Sequence, residues 1–183
     1  MVILDDIDLL LINIGGARKK IYQELNKDYS AVETPFLAAL TAGFIRKKGF
    51  RVWIIDANAE NLTYEETADM IEQKNPKLVN IIVYGQHPSA STQLMTGVGQ
   101  LCEIIKKKNK DRKIILTGLH PSALPERTIK DESCDFVCEG EGFYTLLSLL
   151  QSKPFQEVPG LWYRDQDIIK STPRAPNVQN LTS

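Results

Sequence analysis

The chain alternates between short runs of apolar residues and longer segments in which apolar residues recur every three or four positions. A short run that is apolar throughout is typical of a strand buried on both faces of a parallel sheet. Such runs predict strands at Ile7–Asn13, Arg51–Asp56, Leu78–Tyr84, Lys113–Thr117 and, the shortest, Asp135–Cys138.

The segments between these runs carry the periodicity and the end signals of helices. Gly49 suits the C-terminal cap of the first helix. Thr63 and Glu66 have the spacing of a capping box that starts the second. The first predicted helix is Pro35–Lys48, with Pro35 in its first turn. The second begins at the Thr63 capping box and ends near Lys74, and the third and fourth are Ser91–Lys108 and Glu141–Leu150.

Strands and helices thus alternate from residue 7 to residue 150. This order predicts an α/β fold of the doubly wound, Rossmann-like or flavodoxin-like type, with a parallel five-stranded sheet and helices on both faces. The rest of the chain predicts a small C-terminal β-hairpin around the polar turn Arg164–Asp167, followed by a proline-bearing linker. We therefore divide the chain into a domain over residues 1–153 and a hairpin with linker over residues 154–183.

Composition narrows the class of protein. The length of 183 residues suits one globular domain, and a composition of 43% hydrophobic and 25% charged residues is ordinary for a soluble protein. A net charge of -1 gives no reason to expect nucleic acid or a membrane surface as a partner. No apolar run is long enough to cross a bilayer, and the N-terminus lacks the features of a signal peptide. The odd number of cysteines, 3, suits the reducing cytoplasm and free, partly buried thiols.

Ligands of doubly wound sheets bind beyond the C-terminal ends of the strands, so the loops after the strands are the candidate sites. The first strand ends at Asn13 and is followed by Gly15 and Gly16, which let the backbone turn sharply and approach a ligand. Neither GxGxxG nor the P-loop motif GxxxxGK[ST] occurs, so dinucleotide and P-loop sites have no motif support. A loop that is merely flexible explains these glycines equally well.

The third and fourth strands are followed by near-copies of one motif, G-x-H-P-S-A, at Gly85–Ala90 and Gly118–Ala123. In each copy, glycine permits close approach, proline stiffens the turn, and serine can cap the following helix. A single copy would suggest only a good loop for entering a helix. Two copies at adjacent strand ends favour a rigid polar rim with a function.

The fifth strand is followed by Glu139, Gly140 and Glu141. The two carboxylates suit the N-terminus of the next helix, whose dipole favours negative charge. They also suit a general acid and base, although no nucleophile accompanies them. The histidines, His87 and His120, lie in separate loops without a cysteine or carboxylate at ligand spacing, which does not support a zinc site.

Several of these segments occur together in a specific order. They are ETPFLAALTAGFIRKKGFRVWIIDA (Glu33–Ala57), TGLHPSALPE (Thr117–Glu126), DFVCEGEGFYTLLSLL (Asp135–Leu150) and VPGLWYR (Val158–Arg164). The ordered set resembles the N-terminal cobalamin (vitamin B12)-binding domain of cobalamin-dependent radical S-adenosylmethionine enzymes. In that family a proline-led helix precedes the second strand, a G-G-x-H-P loop follows the fourth, G-E-G-E follows the fifth, and a P-G-[IL]-x-[YW]-R hairpin leads into a catalytic barrel. Leu119 stands where the family has its second glycine.

The resemblance implies a domain that binds cobalamin and positions the corrin for methyl transfer or a related radical reaction. The D-x-H-x-x-G motif, whose histidine ligates cobalt in other cobalamin domains, is absent. This implies a cofactor held without a protein histidine ligand, with its nucleotide tail beside the sheet. The CxxxCxxC motif is absent as well, so the [4Fe–4S] cluster and S-adenosylmethionine are expected only in a full-length protein, in a C-terminal barrel in cis. This chain alone is then not catalytic, and whether it is an enzyme stays open.

The resemblance also assigns site residues. Tyr84 and Thr117 are expected to form hydrogen bonds near the cofactor, and His87 and His120 to reach its amide side chains. No catalytic residue and no protein ligand to a metal is expected. The residues expected to bind cobalamin are Asn13, Gly15, Gly16, Tyr84, Gly85, Gln86, His87, Ser89, Thr117, Gly118, Leu119, His120, Pro121, Glu139, Gly140 and Glu141.

Three alternatives share the predicted architecture. A receiver domain needs an acidic pair after the first strand and an aspartate at the end of the third, where this chain has Asn13 and Tyr84. A flavin-binding module needs a phosphate loop rich in serine and threonine after the first strand, which this sequence lacks. The third alternative keeps the fold without cobalamin, as a scaffold or substrate-recognition module, and Leu119 keeps it open.

Overall fold

The computed structural model describes residues 6–14, 34–85, 87–166 and 168–179. Gly15, Gly16 and Gln86, which were predicted to bind cobalamin, lie outside these ranges. The strands are β1 Leu9–Asn13, β2 Val52–Asp56, β3 Leu78–Val83, β4 Ile114–Gly118, β5 Phe136–Cys138, β6 Leu161–Asp165 and β7 Ile168–Ser171. The helices are α1 Phe36–Lys47, α2 Tyr64–Lys74, α3 Pro88–Lys108, α4 Leu119–Ala123, α5 Pro125–Asp131 and α6 Phe143–Leu150, with a 3-10 turn at Phe155–Glu157.

Within these ranges the strands form one seven-stranded sheet in the order β2-β1-β3-β4-β5-β6-β7. Strands β1 to β5 are parallel, whereas β6 and β7 are antiparallel to their neighbours. The predicted doubly wound fold with a C-terminal hairpin is therefore confirmed. The hairpin continues the same sheet, because Val137 of β5 pairs with Trp162 of β6. Its turn is tighter than predicted, since Arg164 and Asp165 still belong to β6.

The central strands are buried on both faces because helices cover both. In β1, Leu10 and Ile12 contact one layer and Leu9 and Leu11 the other, and all of them are 0% exposed. Helices α2, α3 and α5 pack on the Leu10 face, and α1 and α6 pack on the Leu9 face. We refer to the face that carries Leu9 and Leu11 as the α1/α6 face. Double burial is the reason that these strands are apolar at successive positions instead of alternate ones.

Most of the helix end signals in the sequence are confirmed. The Thr63 hydroxyl accepts a hydrogen bond from the Glu66 amide at 3.2 Å, and the Glu66 carboxylate accepts one from the Thr63 amide at 2.8 Å, which completes the capping box. Gly49 follows α1 with a φ of +89°, the left-handed conformation that glycine adopts readily. Pro35 precedes the first turn of α1 instead of lying inside it.

Other predicted helix boundaries are wrong. Helix α3 begins at Pro88, before the predicted start at Ser91, because proline is favoured at the first helical position. Helix α6 begins at Phe143 and not at Glu141, since Gly142 has a φ of +88° that no helix accommodates. Helices α4 and α5 were not predicted, because their 5 and 7 residues are too few to show a period. No helix in the described ranges has the length and apolarity to cross a membrane.

Candidate functional site

The C-terminal ends of four neighbouring strands form one edge of the sheet, which we term the C-terminal edge. Strands β1, β3, β4 and β5 are adjacent and parallel, so the residues that follow them meet there. Ligands of such sheets bind at this edge, near the point between β1 and β3 where the strand order reverses. The C-terminal edge brings together the described candidates Asn13, Tyr84, Gly85, His87, Ser89, Thr117, Gly118, Leu119, His120, Pro121, Glu139, Gly140 and Glu141. That they bind a ligand stays a prediction.

Two glycines allow the ends of β3 and β4 to pack tightly. Gly118 has a φ of +122°, and a side-chain carbon built there would lie 2.1 Å from the carbonyl oxygen of Val83. A side-chain carbon at Gly85 would lie 2.5 Å from Cβ of Ala90. Glycine is therefore required at both positions. The close approach that it permits is to the protein's own chain.

The two histidines occupy different surroundings. His87 is exposed, and its Nδ1 lies 2.9 Å from Oγ of Ser89. His120 is half-buried, and its Nδ1 lies 2.9 Å from Oγ1 of Thr92 in α3. Burial, and secondarily the charge of Arg127, lower the pKa of His120 below its ordinary value of 6.5. The His120 ring is therefore neutral at pH 7.

The predicted serine caps are wrong, since neither α3 nor α4 has a side-chain cap. Ser122 instead accepts a hydrogen bond from the Gly140 amide at 2.8 Å, which joins the segment after β4 to the loop after β5. Ser91 accepts one from the Gly85 amide at 2.8 Å. These hydroxyls fix the loops of the C-terminal edge because backbone N–H groups in partly buried turns need partners.

The glutamates after β5 do not cap α6, which has no acidic residue in its first turn. Glu139 accepts a hydrogen bond on Oε2 from Nε1 of Trp162 at 2.9 Å. Glu141 accepts one on Oε2 from the Val178 amide at 2.7 Å. The predicted capping role is therefore wrong, because the two carboxylates bind β6 and the segment after the hairpin instead.

Large apolar side chains are exposed at the C-terminal edge beside these polar groups. Tyr84 is 46% exposed, Leu119 is 37% exposed and Leu124 is 44% exposed. Leu119, which replaces the second glycine of the resembling family, is the first residue of α4 and lies at the protein surface. Apolar area with a few convergent polar groups is the usual composition of a small-molecule site.

The described ranges contain no cluster of three or more His, Cys, Asp or Glu side chains able to hold a metal ion. Cys102, Cys134 and Cys138 are free, as predicted, but they are fully and not partly buried. Burial raises the pKa of Cys134 to about 12 and that of Cys138 to about 11. The thiols are therefore protonated at pH 7, which makes them poor nucleophiles.

An open cavity of about 400 Å³ lies at the opposite edge of the sheet, before the N-terminal ends of β3 and β4. Its cations already have acidic partners. Lys77 pairs with Asp8 at 2.8 Å, and Arg112 pairs with Glu72 at 3.0 Å. We assign this cavity no ligand, since these charges are neutralised within the protein.

One buried polar residue near the C-terminal edge was not predicted. Asn80 lies in the middle of β3 between Leu78 and Ile82, which belong to the α1/α6 face, and is 1% exposed. Thr117 donates a hydrogen bond from Oγ1 to Oδ1 of Asn80 at 3.0 Å, whereas Nδ2 of Asn80 has no partner. The signal was present in the sequence, since an amide interrupts an otherwise apolar strand.

Comparison with known proteins identifies the family. The profile of the family described as "B12 binding domain" matches residues 28–150. The chain belongs to this family. A relative from Pyrococcus horikoshii, named "Uncharacterized methyltransferase PH0819", is 28% identical over 152 residues. The match covers 80% of this chain and 31% of that relative.

Solved structures share the fold. TsrM from Kitasatospora setae, a radical S-adenosylmethionine methyltransferase solved with cobalamin and a [4Fe–4S] cluster bound, has a TM-score of 0.70 at 14% identity. The likeness covers 97% of this chain and 30% of TsrM. OxsB, a cobalamin-dependent S-adenosylmethionine radical enzyme solved with aqua-cobalamin and S-adenosylmethionine bound, has a TM-score of 0.65 at 20% identity, over 95% of this chain and 23% of OxsB. The chain thus spans less than a third of the length of these relatives.

The residues of the C-terminal edge suit cobalamin, the ligand for which the family is named. A corrin is a broad, flat ring with amide side chains, and it needs both apolar area and hydrogen-bonding groups. Tyr84 and Leu119 provide exposed apolar area. Below this edge, the buried Nδ2 of Asn80 is a donor without a partner among the described residues. The family assignment and the chemistry of the edge therefore agree.

Proposed function

We propose that this chain is the cobalamin-binding domain of a radical S-adenosylmethionine enzyme that carries out methyl transfer or a related radical reaction. The observation that carries the proposal is the B12-binding family match over residues 28–150, which includes the segments after β3, β4 and β5 at the C-terminal edge. Bound cobalamin would supply the methyl group that such an enzyme transfers. The chain itself supplies binding and orientation.

The residues of the C-terminal edge act in this proposal by their fixed positions. Gly118 holds the end of β4 against Val83, and the bond from the Gly140 amide to Ser122 holds the loop after β5. A rigid edge loses little conformational freedom when it binds a rigid ring. Tyr84 and Leu119 would contact the corrin and exclude water from it.

We propose that no protein histidine ligates the cobalt. The chain has 2 histidines, and neither lies in a D-x-H-x-x-G motif. His87 and His120 each have Nδ1 within 2.9 Å of a hydroxyl group. A His87→Ala/His120→Ala variant should therefore give the same cobalt(II) electron paramagnetic resonance spectrum with bound cofactor as the wild type. A nitrogen hyperfine splitting that is present in the wild type and absent in the variant would show that a histidine ligates the cobalt, and would contradict the proposal.

We propose that the catalytic partner is a barrel in cis that follows the hairpin. Strand β7 runs in the same direction as β5, and residues 172–179 continue from its end along the C-terminal edge. The Gly160 amide donates to the Pro173 carbonyl at 2.7 Å, and the Val178 amide donates to Glu141 at 2.7 Å. A domain that follows would thus start beside the proposed corrin.

We also propose that the protein is located in the cytoplasm. The three free thiols support a reducing compartment.

The binding proposal is tested by mixing the purified chain with hydroxocobalamin, desalting, and recording the visible spectrum. We expect corrin absorbance to remain with the protein at close to one equivalent. Tyr84→Ala should lower the retained amount. Trp53→Ala is a matched control, because Trp53 is a 51% exposed aromatic on the edge strand β2. A wild-type protein that retains no corrin would favour the alternative of a scaffold or substrate-recognition module.

A further inference from the structure

Asn80 is a buried amide with part of its hydrogen-bonding capacity unused. It pairs in the sheet with Leu11 of β1 on one side and Ile115 of β4 on the other. Among the described residues, its Nδ2 is the one buried side-chain nitrogen or oxygen without a hydrogen-bond partner. A buried donor left unsatisfied costs about 1–3 kcal/mol. An apolar residue, such as those that flank Asn80 in β3, would avoid this cost.

The orientation of the amide follows from Thr117. Its hydroxyl donates to Oδ1 of Asn80 at 3.0 Å, so the amide nitrogen lies on the side away from that bond. Thr117 is itself 6% exposed and directly precedes Gly118, the last residue of β4. Thr117 on β4 thus fixes the orientation of the Asn80 amide on β3, so that Nδ2 is a donor with a fixed direction. Unsatisfied groups of this kind in native proteins commonly have a ligand, ion or water as their partner.

The position of Asn80 limits which ligand can reach it. On the α1/α6 face, Ile82 lies between Asn80 and the C-terminal edge, and β3 ends at Val83, three residues and about 10 Å beyond Asn80. A side-chain carbon at Gly142, at the start of α6, would lie 3.4 Å from Cγ2 of Thr117. Because glycine has no such carbon, no side chain of residue 142 fills the space beside the Thr117 methyl group. A ligand group that meets Nδ2 at this depth would have to be slender, whereas a broad corrin ring would stay at the edge.

We propose that Asn80 is a specificity-determining residue, whose Nδ2 donates a hydrogen bond to an acceptor in the nucleotide loop of the bound corrinoid. This inference rests on the proposed function, since it requires a corrinoid at the C-terminal edge. The nucleotide loop extends from the ring and carries acceptors on its base, ribose and phosphate. Asn80 thereby favours complete cobalamin over corrinoids that lack the loop. Loss of one such hydrogen bond lowers affinity by about tenfold.

The test compares aquocobalamin with aquocobinamide, which has the same corrin ring and no nucleotide loop. Both are titrated into the wild-type chain, Asn80→Leu and Thr117→Val, and binding is followed by tryptophan fluorescence and visible absorbance. Asn80→Leu should weaken cobalamin binding about tenfold and leave cobinamide binding unchanged within about twofold. Thr117→Val keeps the donor but removes the bond that orients it, so its loss for cobalamin should be smaller than that of Asn80→Leu.

Thermal unfolding provides the folding control. Leucine at residue 80 removes an unsatisfied donor but also the acceptor of the Thr117 hydroxyl, so Asn80→Leu without ligand should unfold near the wild-type temperature. Its stabilisation by cobalamin should be smaller than that of the wild type. Equal cobalamin affinity in Asn80→Leu and the wild type would overturn the inference and make the partner of Nδ2 a structural water. A wild type that binds neither corrinoid would overturn the proposed function instead. An equal loss of affinity for both corrinoids in Asn80→Leu would assign the effect to the site of the corrin ring, and would also overturn the inference.

Discussion

The two near-copies, Gly85–Ala90 and Gly118–Ala123, share a motif and a place in the fold but differ in structure. After β3, α3 begins at Pro88 with His87 before it. After β4, α4 begins at Leu119, directly behind the glycine. Helix α3 then runs for 21 residues, whereas α4 ends after 5. A shared motif therefore predicts the start of a helix better than the length of that helix.

The residues after each motif explain the difference in length. Helix α3 continues because Val98, Leu101 and Ile105 form a buried stripe against the sheet. Helix α4 stops because Pro125 disfavours helical geometry in the residue before it, and Leu124 accordingly has φ −132° and ψ 54°. Helix length thus depends on the residues C-terminal to the motif, and similarity within the motif does not predict it.

The second copy also connects more of the structure than the first. His87 and Ser89 contact each other within the first copy. In the second copy, His120 contacts Thr92 of α3, and Ser122 accepts a hydrogen bond from the Gly140 amide. The second copy thus ties together the segments after β3, β4 and β5. Equivalent substitutions should therefore do more damage there.

Replacement of the first glycine of each copy should give the largest difference in stability between the two copies. In Gly118→Ala the new carbon would meet the Val83 carbonyl oxygen at 2.1 Å, at a φ that alanine rarely adopts. We expect a loss of about 4 kcal/mol in the free energy of unfolding. In Gly85→Ala it would meet the Ala90 side chain at 2.5 Å, without a positive φ, and we expect about 2 kcal/mol. Urea denaturation measures both, and equal losses would mean that the two strand ends are packed alike.

The serine of each copy provides a second, smaller contrast. Ser122→Ala leaves the Gly140 amide without the acceptor that it has at 2.8 Å, so we expect a loss of about 1 kcal/mol. Ser89→Ala removes only an exposed contact with His87, and we expect a change below about 0.5 kcal/mol. The same denaturation experiment tests the pair. A Ser89→Ala loss as large as that of Ser122→Ala would contradict the connecting role of the second copy.

Replacement of His120 should change how stability depends on pH, which is the smallest expected effect. The folded chain lowers the pKa of His120, mainly through burial, so the unfolded chain binds the proton more readily. Stability is therefore lost as the pH falls through the ordinary histidine value of 6.5 and below it. His120→Gln should flatten the slope of unfolding free energy between pH 7 and about 5.5. His87→Gln, at an exposed position, is the matched variant, and a greater flattening by His87→Gln than by His120→Gln would contradict the assignment.

Local patterns allowed most of the elements to be predicted. The capping box of Thr63 and Glu66 depends on residues within one helical turn, and the buried strands depend on contiguous apolar runs. The serine caps were predicted wrongly, because Ser122 bonds to the Gly140 amide, 18 residues away. The glutamate caps failed for the same reason, since Glu141 bonds to Val178, 37 residues away. Local rules do not anticipate a better partner that is distant in the chain.

The sequence by itself determined the alternation of strands and helices, the glycine-led loops after β3 and β4, and the resemblance to cobalamin-binding domains. These features depend on residue type and on short-range order. Only the tertiary structure decided that β3 lies beside β4, and hence that Thr117 meets Asn80. It also decided that one nitrogen of this pair has no partner within the described protein. Hydrogen-bond satisfaction is a property of the whole packed neighbourhood, so no local pattern in the chain can specify it.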